Sequence, residues 1–192
     1  MPRALTEHEK CRQCQKLLEK GLAVVMEQGL RKVSVDEITK AAGMAKGTFY
    51  HHFTSKEAYL CEVIKFGHEQ IYVKAEPLIM NDFNPRDFLK KIFFLPELGF
   101  FIKYEREISE LMSEHMSADE MEVFNEQEVK MIEGLLLVTG ADITRIKPGI
   151  VHNYIHALYL IKSSDIMIAE ELPETIDLII ESLIAYIYGG TK

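Results

Sequence analysis

The sequence has no tryptophan, three cysteines and no long apolar run, and these shortages exclude whole classes of protein. Its apolar stretches, such as residues 92–96 and 135–138, are far shorter than the roughly 20 residues that a membrane-spanning helix needs. The N-terminal stretch MPRALTEHEK lacks an apolar core, so no secretory signal peptide is predicted. Three thiols are too few for a disulfide scaffold. We therefore expect a cytoplasmic protein with no membrane partner and with reduced cysteines.

Catalytic signatures are also missing. No Gly-rich phosphate loop, nucleophile elbow or paired-carboxylate arrangement is recognisable. Cys11 and Cys14 have C-x-x-C spacing but lie inside a helical pattern, so reduced thiols on a helix are favoured over a redox or metal site. His152 and His156 can share one face of a helix, yet no third ligand stands at helical spacing, so surface or interface histidines are favoured over a metal site. We predict no cofactor, no metal and no enzymatic activity.

The formal net charge of −8 is unevenly distributed along the chain. Residues 1–65 hold 11 Lys+Arg and 8 Asp+Glu, a net +3, whereas residues 66–192 hold 11 and 22, a net −11. A basic segment can approach a phosphate backbone, and the acidic remainder would be repelled by it. The distribution therefore predicts two functions on two domains.

Two short helices joined by a glycine turn are predicted within residues 34–56. Ser34 and Glu37 fit a capping box, and an apolar stripe at helical spacing follows them. Gly43 can adopt the left-handed conformation that ends this first helix. A second helix is predicted over residues 46–52. Two helices in this order form a helix-turn-helix, whose second helix enters the major groove of DNA.

The stretch AGMAKGTFYHHFTSKEAYL carries a family resemblance. Its alanine-glycine-apolar start, lysine-glycine-threonine, aromatic pair and serine-lysine-glutamate closely resemble the signature of the TetR (tetracycline-repressor) family of transcriptional regulators. The resemblance covers residues 6–66. The sequence departs from the family pattern at Thr39, where a small alanine is usual, and at Ala45, where a capping serine is usual. An uncapped helix start leaves amides that can donate hydrogen bonds to a phosphate oxygen.

The resemblance and the motif together give a set of candidate DNA contacts. Phe49 and Phe53 are four residues apart and can be buried together, which leaves the polar residues of the second helix more outward. Those expected to face bases or adjoining phosphates are Lys46, Thr48 and His51, and Gly47 is a further candidate contact through its uncapped amide. Those expected to hold the DNA backbone, and so to set register, are Ser34, Tyr50, His52 and Lys56.

No strand pattern, internal repeat or low-complexity tract appears, and the remaining periodic segments are helical. We predict an all-α protein of nine or ten helices. Residues 6–66 form an N-terminal three-helix DNA-binding domain with the helix-turn-helix, and residues 67–190 form a larger helical dimerisation and ligand-binding domain. The fourth helix is expected to begin after Ser55, to end near Ala75 because of Pro77, and to link the two domains.

The last two helices carry apolar faces wider than one core requires. The extra width can serve an internal core or a partner chain. The partner is favoured, because such a pair of helices from two subunits can form a four-helix bundle, and the resemblance implies the same homodimer. The predicted interface residues are Ile155, Tyr159, Ile176, Leu183 and Ala185.

The middle region, residues 77–140, is rich in aromatic and aliphatic side chains, and ligand sites are mostly apolar. A pocket there is implied mainly by the resemblance, and ordinary core is the default for each residue. The candidate pocket residues are Phe93, Phe101, Tyr104, Met112 and Met131.

These observations favour a homodimeric repressor that binds a palindromic double-stranded operator and is released by an unknown small-molecule effector. The effector is expected to alter the angle of the fourth helix and so the separation of the two recognition helices. A DNA binder without ligand control, or one controlled by another protein, would show the same motif and stays open. An enzyme is disfavoured because no reactive constellation is found.

Overall fold

The computed structural model of the protein describes residues 6–80 and 83–189, and all of its regular secondary structure within these ranges is helical. The prediction of an all-α fold with nine or ten helices is confirmed. Residue 190, where the second predicted domain ends, lies outside the described ranges. The helices are α1 (Glu7–Gln28), α2 (Val35–Ala42), α3 (Lys46–His52), α4 (Lys56–Met80), α5 (Pro85–Phe93), α6 (Pro96–Lys103), α7 (Glu105–His115), α8 (Ala118–Val138), α9 (Pro148–Lys162) and α10 (Leu172–Tyr188).

Local capping residues set several of the helix ends. Capping boxes open α1, α2 and α8, formed by Thr6 with Glu9, Ser34 with Glu37 and Ser117 with Glu120. In the second of these, the Glu37 amide donates to Ser34 Oγ at 3.3 Å, and the Ser34 amide donates to Glu37 Oε2 at 2.9 Å. Hydrogen bonds from Ser34 hold the pKa of Glu37 below its usual value. Gly43 ends α2 in the left-handed conformation, at φ 63° and ψ 41°, as predicted.

The end of α4 differs from the sequence prediction, and α6 contains an internal glycine. α4 does not end at Pro77 but continues to Met80. Pro77 has no N–H to bond the carbonyl of Val73, but the Val73 side chain is 57% exposed, so water can reach this part of the helix. Gly99 lies inside α6, and a Cβ there would sit 3.3 Å from a ring carbon of Tyr159. The glycine therefore permits close packing of α6 against α9.

The chain divides into two compact units, each closed by contacts between distant parts of the sequence. The first comprises the residues up to Glu69 together with Tyr104–Met121, and the second comprises Gln70–Lys103 and the residues from Glu122 onward. The sequence division at residue 66 did not include α7 in the first unit. Within that unit, the Arg31 guanidinium is 3.4 Å from Glu107 and 3.2 Å from Glu110, both on α7.

Tyr59 of α4 organises the core of the first unit. Its ring lies between Phe49 and Phe53, with centroid distances of 5.0 and 4.9 Å, and its hydroxyl donates to the Leu17 carbonyl at 2.8 Å. Gly21 of α1 makes this possible, because a Cβ at that position would lie 1.4 Å from the Tyr59 hydroxyl oxygen. The buried ring thus fixes α3 against both α1 and α4.

The core of the second unit is built by α5, α9 and α10, whose buried side chains form one cluster. At its edge, Arg86 and Lys90 of α5 pair with α10: Lys90 Nζ lies 2.7 Å from Asp177, and Arg86 lies 3.0 Å from Asp177 and 3.1 Å from Glu181. The hydrogen bond from Lys90 is the main cause that lowers the pKa of Asp177. Charge pairs and apolar packing therefore both hold α5 against α10.

Candidate nucleic-acid interface

The turn between α2 and α3 is closed by backbone hydrogen bonds. The Met44 amide donates to the Thr39 carbonyl at 2.8 Å, and the Gly43 amide donates to the Lys40 carbonyl at 3.1 Å. Thr39, which stands where alanine is usual, is buried, and its hydroxyl donates to the Val35 carbonyl at 2.9 Å. The extra polar atom is therefore satisfied within α2, and the junction of the two helices accommodates it.

α3 presents one buried and one open face. Phe49 is fully buried, whereas Lys46, Gly47, Tyr50 and His51 are exposed. Thr48, also a predicted contact, is half-buried. The helix has no side-chain cap at Ala45, as its sequence indicated. The exposed residues follow one another over the first turns of α3, which is the part of a recognition helix that meets base edges.

Lys46 is held by a carboxylate in the unbound protein. Its Nζ lies 3.0 Å from Asp36 Oδ1 and 3.2 Å from Oδ2, and the hydrogen bond to Asp36 raises the pKa of Lys46. The ammonium group is therefore charged but already has an acidic partner on α2. The sequence pattern did not reveal this pair, because helical spacing relates positions within one helix and not positions 36 and 46 on two helices.

Gly47 has no internal reason to be glycine. A Cβ at this position would meet no heavy atom within 4 Å, and the residue is not among the glycines with positive φ. Glycine in a helix is less favourable than alanine by roughly 0.5–1 kcal/mol. Close approach of an external group to the backbone is the remaining physical reason for a glycine here.

Two predicted backbone contacts face other parts of the chain. His52 was expected to point outward, but its ring is half-buried and its Nε2 lies 3.2 Å from Gln13 Oε1 on α1. This corrects the outward placement: burial against α1 is the first cause that lowers the pKa of His52. Ser34 Oγ donates to Glu37 Oε2 at 2.7 Å and is engaged in its capping box.

Lys56 lies at the start of α4, half-buried, with its ammonium group directed back toward the helix-turn-helix. Its Nζ donates to the Val33 carbonyl at 3.2 Å. An ammonium group has three donors, so this bond positions the side chain and leaves donors for a phosphate. The sequence pointed to Lys56 by its place at a helix start, but the carbonyl that orients it is 23 residues away.

The predicted ligand-pocket residues are divided between the two units. Tyr104 and Met112 belong to the first unit, and Phe93, Phe101 and Met131 belong to the second. Phe93, Phe101 and Met112 are buried. The structure therefore does not bring the five residues together within one unit, and Phe93 is part of the core that holds α5 to α9 and α10.

The predicted dimer surface needs a correction at two positions. Ile176 is 8% exposed and Leu183 is 1% exposed, and both pack in the core of their own unit, so neither is available to a partner. Ile155 and Tyr159 are half-buried against that core, and Ala185 is exposed. The sequence showed that the apolar stripe is wide but not which side of it faces inward.

An apolar surface nevertheless remains open on α9 and α10. A groove of about 340 Å³ is lined by Ile150, Asn153, Tyr154, Ala157 and Ile179. Beside it, Leu178 is 66% exposed. We call the groove residues together with Leu178 and Ala185 the α9–α10 face. No lysine, arginine, aspartate or glutamate is among them.

The structure gives no support to the histidine pair as a metal site or to the C-x-x-C cysteines as a redox or metal site. The rings of His152 and His156 lie side by side, with centroids 4.1 Å apart. Within the described residues, no group of three or more potential ligands is placed to hold a metal ion. Cys11 is exposed, Cys61 is buried, and burial raises the pKa of Cys14.

Across residues 6–80 and 83–189, no helix combines the length and apolar character required to cross a bilayer.

Comparison with known proteins agrees with the motif. Residues 17–63 match the family model of bacterial regulatory proteins of the tetR family. The HTH-type transcriptional repressor KstR2 of Mycobacterium tuberculosis is 32% identical over 77 residues, covering 40% of this chain and 38% of that protein. The repressor DhaR of a Mycobacterium species is 47% identical over 51 residues, covering 27% and 26%. The matches thus span well under half the length of these curated relatives.

Solved structures extend the likeness to the whole fold. A TetR transcriptional regulator from Streptomyces coelicolor aligns with a TM-score of 0.61 at 14% identity, covering 91% of this chain and 97% of that one. At that identity the likeness concerns the fold alone. The fold and the open face of α3 define a helix-turn-helix protein. Residues 17–63 are therefore a helix-turn-helix domain of the tetR family type. The family model and these curated relatives describe regulators rather than enzymes, in agreement with the sequence prediction.

Proposed function

We propose that the protein is a transcriptional repressor that binds a palindromic operator as a homodimer in the cytoplasm. The observation that carries this proposal is the open face of α3, where Gly47 has empty space above its backbone and Lys46 and Tyr50 are exposed. Nothing within the part of the chain that the structure describes requires that arrangement. The backbone of a DNA strand is a group that can come this close to a helix and that favours donors around it.

The contacts divide by the information they carry. In this proposal Lys46, Thr48 and His51 meet base edges or the adjoining phosphates, and the contacts to base edges give discrimination among sequences. Tyr50 and Lys56 hold the backbone, which fixes register. Lys46 must exchange or share its partner Asp36 when DNA arrives.

The α9–α10 face supports the homodimer. Leu178 and Ala185 are exposed beside the apolar groove, and a soluble protein rarely leaves a large apolar patch uncovered. Two copies related by a two-fold axis can cover it by packing four helices. A dimer of this kind presents two recognition helices to half-sites about 34–36 Å apart, which is one turn of DNA.

Release by a small molecule is the finer part of the proposal. An effector that binds one conformation of the second unit shifts the population toward it. Operator affinity falls if that conformation separates the recognition helices by a distance that no longer fits the half-sites. KstR2 and DhaR are both named repressors, which supports repression over activation.

A mobility-shift titration with the DNA directly upstream of the protein's own coding sequence tests the proposal. We expect binding to that DNA at least 10³-fold tighter than to random DNA, within the usual range for specific sites, and a steep loss of affinity with salt. In the same assay, Thr48→Ala should reduce discrimination among operator variants by about 1–3 kcal/mol if Thr48 reads a base edge. Equal affinity for upstream and random DNA would refute sequence-specific repression at this site.

A further inference from the structure

Among the acidic residues that the structure describes, Glu97 stands apart because it is buried. It lies in the first turn of α6 and is 7% exposed. Its Oε1 accepts a hydrogen bond from Lys74 of α4, and its Oε2 is buried without a hydrogen-bond partner. Glutamate is almost never buried unless it is paired. In Glu97 only one of the two carboxylate oxygens has a hydrogen-bond partner.

An unpartnered buried carboxylate oxygen indicates a missing donor. Such oxygens are nearly always hydrogen-bonded in native proteins, and an exception points to a water, an ion or a ligand. The Lys74 side chain is 45% exposed, so solvent screens the charge of its ammonium group. A donor that also carries positive charge would satisfy Oε2 best, because hydrogen bonds between ions are the stronger kind.

The side chains beside Glu97 indicate what kind of ligand body would fit next to a bound amine. Phe100 and Phe101 follow Glu97 at positions i+3 and i+4, so the three side chains share one face of α6. Both rings are buried and meet edge to face, with centroids 5.5 Å apart. Aromatic rings attract organic cations as well as apolar groups. One carboxylate oxygen at the end of an aromatic surface matches an apolar ligand with a single amine.

We propose that Glu97 anchors the effector by accepting a hydrogen bond from its protonated amine, while the apolar body of the effector packs on Phe100 and Phe101. This assigns a ligand class to the effector control described above and rests on that function for its biological meaning. Because Oε2 is enclosed, the ligand reaches it only when α6 moves. Binding is thereby coupled to a change in the position of that helix.

Calorimetric titration of the full-length protein with octylamine, 1-octanol and octanoate tests the proposal, because these probes share a chain and differ in the head group. We expect octylamine to bind the unmodified protein more tightly than octanol or octanoate. Glu97→Gln should weaken octylamine binding at least about tenfold, the loss typical of one charged hydrogen bond, and leave octanol binding unchanged. Glu174→Gln, which removes an exposed first-turn glutamate of α10, is the matched control and should behave as the unmodified protein.

A second variant keeps the test decisive if Glu97→Gln fails to fold. Lys74→Met removes the existing cation beside Glu97 and should tighten octylamine binding several-fold. Equal octylamine affinity in all folded variants, or octylamine binding no tighter than octanol, would overturn the assignment. A bound water would then be the explanation for the unpartnered Oε2. Mobility shifts without any amine separate this result from the proposed function. If the unmodified protein ignores its upstream DNA, repression is refuted whatever the amine titrations show.

Discussion

Replacing Gly47 by alanine should separate stability from DNA binding. The new methyl group meets no heavy atom within 4 Å in the unbound protein, so it introduces no clash. Alanine favours a helix over glycine by roughly 0.5–1 kcal/mol, and the variant should therefore be as stable as the unmodified protein or slightly more so. For a chain of this size we expect the midpoint of thermal unfolding to rise by about 1–4 °C.

Operator binding should change in the opposite direction. The methyl group occupies the space that a phosphate needs to approach the backbone of α3. Loss of one charge-assisted hydrogen bond there costs about 1.5–3 kcal/mol, which corresponds to a loss of affinity of roughly 10- to 150-fold. Thermal unfolding followed by circular dichroism and a mobility-shift titration measure the two effects on the same sample. Unchanged operator affinity would show that DNA does not approach Gly47.

Gly21→Ala is the matched control, since the same substitution should have the reverse effect on stability. A Cβ at Gly21 would lie 1.4 Å from the hydroxyl oxygen of Tyr59 and 2.7 Å from its Cζ. The ring must move out of its place between Phe49 and Phe53. Overpacking of this kind costs about 1–3 kcal/mol or more. Gly21→Ala should thus lower the unfolding midpoint, and adding Tyr59→Phe should recover part of the loss.

Three further substitutions test the remaining contacts. Lys56→Ala should weaken binding to all DNA sequences alike and reduce the slope of log affinity against log salt by about 1, and an unchanged slope would show that Lys56, held by the Val33 carbonyl, does not reach a phosphate. Asp36→Asn frees Lys46 and should raise affinity for random DNA, with a salt slope steeper by about 1; a random-DNA affinity equal to that of the unmodified protein would contradict this. Ala185→Glu places like charges across the proposed two-fold axis, so light scattering should give the monomer mass and operator binding should be lost while the helical signal persists. A dimer that survives this change would place the interface elsewhere.

Features that depend on neighbouring positions could be predicted from the sequence. The capping box of Ser34 and Glu37 and the left-handed turn at Gly43 are decided by residues within one or two turns of one another. The fixed spacing of the motif then gave α2 and α3 within their observed bounds. The same local logic failed at Pro77, because a missing N–H weakens a helix without ending it when water can reach the freed carbonyl.

Features that depend on distant positions could not be predicted in this way. Nothing in the spacing of the sequence relates Lys46 to Asp36 in the neighbouring helix or Arg31 to α7. Leu183 belongs to an apolar stripe whose inward side is decided by the position of α5, and a single helix does not reveal it. Glu97 resembles any other first-turn glutamate in the sequence, and only its burial and its unpartnered oxygen make it a candidate.

The inclusion of Tyr104–Met121 in the first unit has a consequence for how the chain folds during synthesis. Domains generally fold as units from the N-terminus as they leave the ribosome. α1 to α3 and the start of α4 can pair early, but Arg31 receives its partners Glu107 and Glu110 only after α7 has been made. At about 5–20 residues per second, the roughly 50 residues between Glu69 and Met121 delay completion by several seconds. Until then Arg31, which precedes α2, lacks both of its carboxylate partners on α7.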